Sequence, residues 1–150
     1  MLPAFFTRLK GPGKLYSLLL LPLLDQHRLT QLEADILLFL ANNPEYDTAR
    51  DIVEIRHLAK SHVSMGVDSL AERGFLQRLR LDGNRKTIHL RLTDAALPIV
   101  EQGRAIQHTY AGLIFDGFSE AERQELFRLL DQVSNNVDAA ISAIEEERNA

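Results

Sequence analysis

The sequence predicts a mainly α (α+β) fold built around a winged helix-turn-helix, with further helices before and after it, and three observations carry that expectation. Between Lys60 and Arg73, Val63, Val67, Leu70 and Ala71 recur at helical spacing on one stripe, while Lys60, Ser61, His62, Ser64, Met65 and Asp68 occupy the opposite face. Gly74 then follows as a helix-ending residue should, because glycine accepts the left-handed conformation. Two alternating segments flank Asp82-Gly83-Asn84, the mark of a β-hairpin. A short helix opening at Thr48 precedes the Lys60 helix by only a few residues, which is the helix-turn-helix arrangement.

The elements follow in order. Met1 to Gly13 carries Pro3, Gly11, Pro12 and Gly13 and reads as an irregular arm. Lys14 to His27 reads as a first helix, with Pro22 expected to kink or break it. Its leucines exceed what one apolar face needs, so burial on two sides is expected, as at a subunit interface. Thr30 and Glu33 form a capping box for a second helix with Ile36, Leu37, Phe39 and Leu40 inward, which Asn42-Asn43-Pro44 stops. Thr48 caps the third helix, whose Ile52, Val53 and Ile55 pack inward.

In the hairpin, Leu79, Leu81, Ile88, Leu90 and Leu92 are expected to form an apolar underside, with Arg78, Arg80, His89 and Arg91 on a basic top. A long helix should then run to about Phe115, kinked at Pro98 or starting only at about Leu97. Ser119 and Glu122 cap the last helix, where Leu126, Leu130, Val133, Val137, Ile141 and Ile144 recur at steps of three and four and call for a partner helix.

At 45% hydrophobic and 25% charged residues the chain is ordinary for a globular domain, which excludes disorder. The absence of cysteine excludes a disulfide framework and cysteine-bearing zinc sites. The apolar run from Leu15 to Leu24 is too short to span a bilayer and leads into Asp25-Gln26-His27 rather than a cleavage site, so a cytoplasmic location without membrane contact is expected. The net charge of −4 is unevenly spread. From Arg56 to Arg91 there are eight basic against three acidic residues, and from Gly117 to the end the numbers reverse. A polyanion would be met by the first region and repelled by the second.

The segments LTQLEADILLFLA, KSHVSMGVDSLAERGFL and the closing HLRLT, in this order of elements, resemble the MarR family of bacterial transcription regulators. The likeness covers most of the chain from about Leu15 onward. It implies a single domain, 1–150, with 30–93 as winged helix-turn-helix DNA-binding core and 1–29 plus 94–150 as dimerisation helices. It also implies a homodimer, with each recognition helix in a major groove of double-stranded DNA and each wing beside a minor groove. Carried onto this chain, the recognition helix offers Lys60, Ser61, His62, Ser64 and Met65 to DNA, and the wing offers Arg78, Arg80, Asn84, Arg85 and Lys86. The family's wing tip usually reads Asp-x-Arg where this chain has Asn84-Arg85-Lys86; a planar guanidinium suits a narrow groove, which favours Arg85 for insertion and Lys86 for phosphate. Ala59 stands where an N-cap side chain is often found, so either Ser61 caps that helix or the cap is lost.

The resemblance further implies a small apolar or phenolic effector between the dimerisation helices and the winged region, for which Tyr16, His27, Phe39 and Tyr110 are the candidates. Ordinary core packing is the competing role for each of the four. The five histidines show no pair at i, i+3 or i, i+4, so neither a metal site nor a cofactor is expected. With no Gly-x-Ser-x-Gly elbow and no phosphate-binding glycine loop, no catalytic residues are expected and an enzyme is disfavoured. The rival from another class is a winged-helix module that binds protein and never touches DNA.

Overall fold

A computed structural model describes residues 2–150. Its elements are α1 (Leu2–His27), α2 (Gln31–Asn42), α3 (Ala49–Arg56), α4 (Lys60–Glu72), β1 (Leu76–Leu81), β2 (Asn84–Leu92), a 3-10 turn (Asp94–Ala96), α5 (Leu97–Ile114) and α6 (Glu120–Asn149). The chain divides into two compact units, one extending to Ala111 and the other comprising Gly112–Ala150.

The first unit holds the core. Leu23 of α1, Ile36, Leu37 and Phe39 of α2, Ile52 of α3, Val63, Val67 and Leu70 of α4, Leu76 of β1, Leu90 of β2 and Ile99 of α5 form one buried cluster. Two capping boxes start α2 and α3: Thr30 and Thr48 accept from the backbone N–H groups of Glu33 and Asp51, whose carboxylates accept in return. His57 ends α3 in a left-handed conformation, at φ 51°, and so makes the tight turn into α4. At the end of α4, Gly74 (φ +81°) bonds back to Ala71 and Phe75 to Leu70 at 2.9 Å, a Schellman closure that sends the chain directly into β1. Close approach fixes two further glycines. A Cβ on Gly66 would stand 2.7 Å from Ile36 Cδ1, and one on Gly103 would stand 2.5 Å from Leu38 Cδ2, so these positions set how near α4 and α5 come to α2.

Three expectations are corrected or resolved. Met1 lies outside the described residues, but from Leu2 onward the expected irregular arm is helix, and α1 continues through Pro12 and Pro22. An interior proline removes one backbone bond and crowds the preceding turn, but the flanking turns carry α1 past both. The apolar underside expected of the hairpin keeps Leu90 and Leu92 of β2 but not Leu79 of β1, and the face carries Arg78. Leu76 enters the core and pairs with Leu92, so alternation puts Arg78 opposite Leu90 on the inner face and Leu79 opposite His89 on the outer one. An irregularity between Leu79 and Leu81 shifts the register toward the turn, which is Asp82-Gly83 with Gly83 at φ +87°. Finally, α5 starts at Leu97 as the delayed alternative had it. Thr93 does not cap it, since its hydroxyl donates to Gly74 O at 2.5 Å, and Pro98 falls in the first turn where its missing N–H is not needed.

In the second unit, Gly117 (φ +78°) turns the chain and Ser119 caps α6 through a reciprocal bond with Glu122. Phe115 stacks edge-on against Phe118 and tilts against Phe127, while Arg123 lies over its ring. Beyond that, α6 has no buried residue: Leu130, Val133, Val137, Ile141 and Ile144 are all exposed.

Candidate nucleic-acid interface

The core dictates which side of α4 is available. Burial of Val63, Gly66, Val67 and Leu70 leaves Lys60, Ser61, His62, Ser64 and Met65 at the surface, with Met65 69% exposed despite being apolar. Ala59 sits in extended conformation at the N-cap with no side-chain cap bond, so the cap is lost and Ser61 does not replace it. The first backbone N–H groups of α4 therefore remain without a side-chain acceptor at the end of the helix that carries partial positive charge. Serine, histidine and lysine there can donate to base edges or phosphate.

The wing residues divide into two groups. Arg78, on the inner face, is ion-paired to Asp68 of α4 and lines a cleft of about 460 Å³ with Val53, Lys60, Ser64, Ile88 and Leu90. Asn84 is committed to the turn: its side-chain oxygen accepts from the backbone of Lys86 at 3.2 Å and Thr87 at 3.3 Å, and its amide donates to the Thr87 hydroxyl at 3.0 Å. Arg80, Arg85 and Lys86 are exposed, and among the described residues none of the three has a salt-bridge partner. The base of the wing is pinned by a pair that sequence reasoning missed, His89 Nδ1 to Asp47 Oδ1 at 2.7 Å, beside a backbone bond from Leu90 N–H to Asp47 O. Asp47 and His89 lie far apart in sequence, and no local pattern links them.

The four effector candidates are only partly brought together. Tyr16 and Tyr110 meet edge to face at 5.3 Å, and the Gln107 amide donates to the Tyr16 hydroxyl at 3.5 Å. Gln107 in turn accepts from Asn42, which accepts from Arg104. Burial pushes the Tyr16 phenol above its ordinary range, the Gln107 bond opposing and Asp35 adding to the shift. Burial likewise raises the Asp35 carboxyl, against the pull of Arg56 at 4.0 Å. Phe39 instead belongs to the core, and His27 bonds Gln102 through Nε2 at 2.9 Å. Among the described residues no three His, Cys, Asp or Glu side chains could share a metal ion, and no helix is long and apolar enough to cross a membrane.

A short helix, a tight turn, a second helix with an exposed polar face and an adjoining two-stranded wing define a winged helix-turn-helix protein. Residues 28–86 match the MarR family. The HTH-type transcriptional regulator PecS of Dickeya dadantii is 27% identical over 115 residues, covering 75% of this chain and 69% of that protein. The crystal structure of transcriptional regulator PA3341 aligns with a TM-score of 0.79 at 22% identity, over 90% of this chain and 98% of that one. A MarR family regulator from Listeria monocytogenes, complexed with 26mer DNA, aligns with a TM-score of 0.75 at 15% identity, over 91% and 88% of the two chains. The winged helix-turn-helix of residues 28–86 is that of the MarR family of transcriptional regulators.

Proposed function

We propose that this regulator acts as a homodimer, as a repressor, on a pseudo-palindromic operator whose half-sites lie about one helical turn apart. The observation that carries the reading is the conjunction, on one unit, of the exposed face Lys60, Ser61, His62, Ser64 and Met65 with a wing whose Arg85 and Lys86 have no ion-pair partner among the described residues. The face of α4 reads base edges in the major groove, and Arg85 reaches the minor groove while Lys86 neutralises phosphate. Arg80 is a further phosphate contact. Arg78 holds the wing against α4 through Asp68, and Asn84 shapes the tip, so both serve the interface by positioning it. That the Listeria relative was solved in complex with 26mer DNA supports duplex DNA as the ligand.

Homodimerisation is supported by apolar side chains left open on α1, including Phe5, Phe6, Leu9, Leu18 and Leu21, and by the open stripe on α6. A second copy covers such surface at a favourable burial of about 25 cal/mol per Å². A small phenolic or apolar effector is supported by Tyr16 and Tyr110, next to Gln107 and the partly buried Asp35, whereas Phe39 and His27 are engaged in the core and with Gln102. Binding there shifts the population between two dimer geometries that differ in recognition-helix spacing.

The test is selection of bound duplexes from random DNA by purified protein. Two inverted half-sites about one turn apart are the expected product. Enrichment of no sequence, or of a lone half-site, contradicts the reading.

A further inference from the structure

Glu33, Ser69 and Arg73 form a polar junction outside the proposed DNA contacts. Glu33 is the buried carboxylate of α2, 7% exposed. Its Oε2 accepts from Thr30 N–H at 2.9 Å as the capping box requires, and its Oε1 accepts from the Ser69 hydroxyl of α4 at 2.5 Å. Arg73, which ends α4, places Nη1 3.8 Å from Glu33 Oε2. The same guanidinium donates to Arg28 O at 2.8 Å and His27 O at 2.6 Å and lies over the Phe75 ring at 5.1 Å. His27 O and Arg28 O stand at the C-terminal end of α1, where carbonyls lack helical partners and partial negative charge collects, so a planar cation with forked donors is matched to both. His27 in turn bonds Gln102 of α5.

We propose that Arg73 and Glu33 are positioning residues for operator recognition: they fasten the recognition helix to the end of α1, so that the spacing of the two recognition helices follows the α1 helices of the dimer. Arg73 holds the end of α4 opposite to its DNA-facing start, and Ser69 holds the preceding turn. Rotation of α4 about its core stripe would break two bonds to α1 and one to α2. The junction thus removes a degree of freedom that buried Val63, Val67 and Leu70, being apolar and non-directional, leave soft. The proposal rests on the two-half-site reading above.

The experiment measures binding of the full-length protein, by fluorescence anisotropy, to duplexes bearing two selected half-sites at the selected spacing and at one base pair more and less, and to a duplex bearing one half-site. Wild type should prefer the selected spacing. Arg73→Gln should lose about tenfold in affinity at that spacing, within the range of coupling between sites, while its affinity for the single half-site changes less than about twofold. Its preference among spacings should flatten accordingly, and Arg73→Lys should recover part of it, since an ammonium reaches one carbonyl but cannot fork. Glu33→Gln, which keeps a side chain compatible with the capping box, should flatten the preference in the same direction and serves if Arg73→Gln fails to fold. Wild-type selectivity retained in a folded variant of either residue, or equal losses on all four duplexes, overturns the proposal while leaving the two-half-site reading intact. A wild type that ignores spacing overturns both.

Discussion

Replacing Gly103 by alanine tests the packing that seats α5 on the winged region. Two effects oppose each other. Alanine is better than glycine in a helix by about 1 kcal/mol. Its Cβ, however, would lie 2.5 and 2.9 Å from the two methyls of Leu38 and 3.1 Å from Leu38 Cγ. Turning the end of the leucine relieves the methyls but leaves Cγ, and Leu38 is only 2% exposed, with little free space to enter. Overpacking of this kind costs about 1–3 kcal/mol, so Gly103→Ala should be destabilising by up to about 2 kcal/mol net. Leu38→Ala removes all three contacting atoms, and in that background Gly103→Ala should instead stabilise by up to about 1 kcal/mol. Urea unfolding of the four proteins at one fixed concentration yields the coupling energy directly, with concentration held because a dimer's stability depends on it. A coupling of about 1–3 kcal/mol is expected; a value indistinguishable from zero would refute the steric account.

Three other outcomes follow from particular residues. Arg85→Ala should weaken operator binding by about 1–3 kcal/mol in an anisotropy titration, and unchanged affinity would remove Arg85 from the interface. Ala59→Ser supplies the missing N-cap of α4 at a backbone already in the extended cap conformation (φ −68°, ψ 134°), so the unfolding free energy should rise by about 1 kcal/mol; no rise means that the α4 N–H groups are already satisfied. Asp35 gives a pH signature. Burial raises its carboxyl, so the folded protein binds that proton more tightly than the unfolded chain and loses stability as pH rises through the folded value. Asp35→Asn should therefore be more stable than wild type at neutral pH, with the advantage fading as pH falls through the ordinary carboxylate range; an advantage that does not vary with pH would exclude burial of the charge as its source.

Local patterns in the sequence were enough for the helices of the winged region, because each carries its own boundary chemistry. Thr30, Thr48 and Ser119 start helices through bonds to residues three ahead, and Gly74 ends one through bonds within its own turn. The exposed face of α4 was legible for the same reason, since its buried stripe has helical period. The inner face of β2 is legible in the sequence but that of β1 is not, because alternation alone does not say which phase is inside. The phase is set by Leu76, which the Schellman turn delivers to the core, and an irregularity between Leu79 and Leu81 breaks the alternation further along the same strand. In α1, Pro12 between Gly11 and Gly13 argues for an arm, yet the helix passes through all three. The Glu33, Ser69 and Arg73 junction and the Asp47 and His89 pair could not be read ahead of the fold, since each joins residues dozens of positions apart.

The most direct test of DNA reading by α4 and the wing is a salt titration of binding, with duplex DNA from upstream of the protein's own coding sequence. Each phosphate neutralised contributes about −0.9 to the slope of log affinity against log salt. Saturable binding that weakens steeply with salt is expected, and the double variant Arg85→Ala with Lys86→Ala should give a distinctly shallower slope. No saturable binding at low salt, or a slope that ignores those two side chains, would contradict the account.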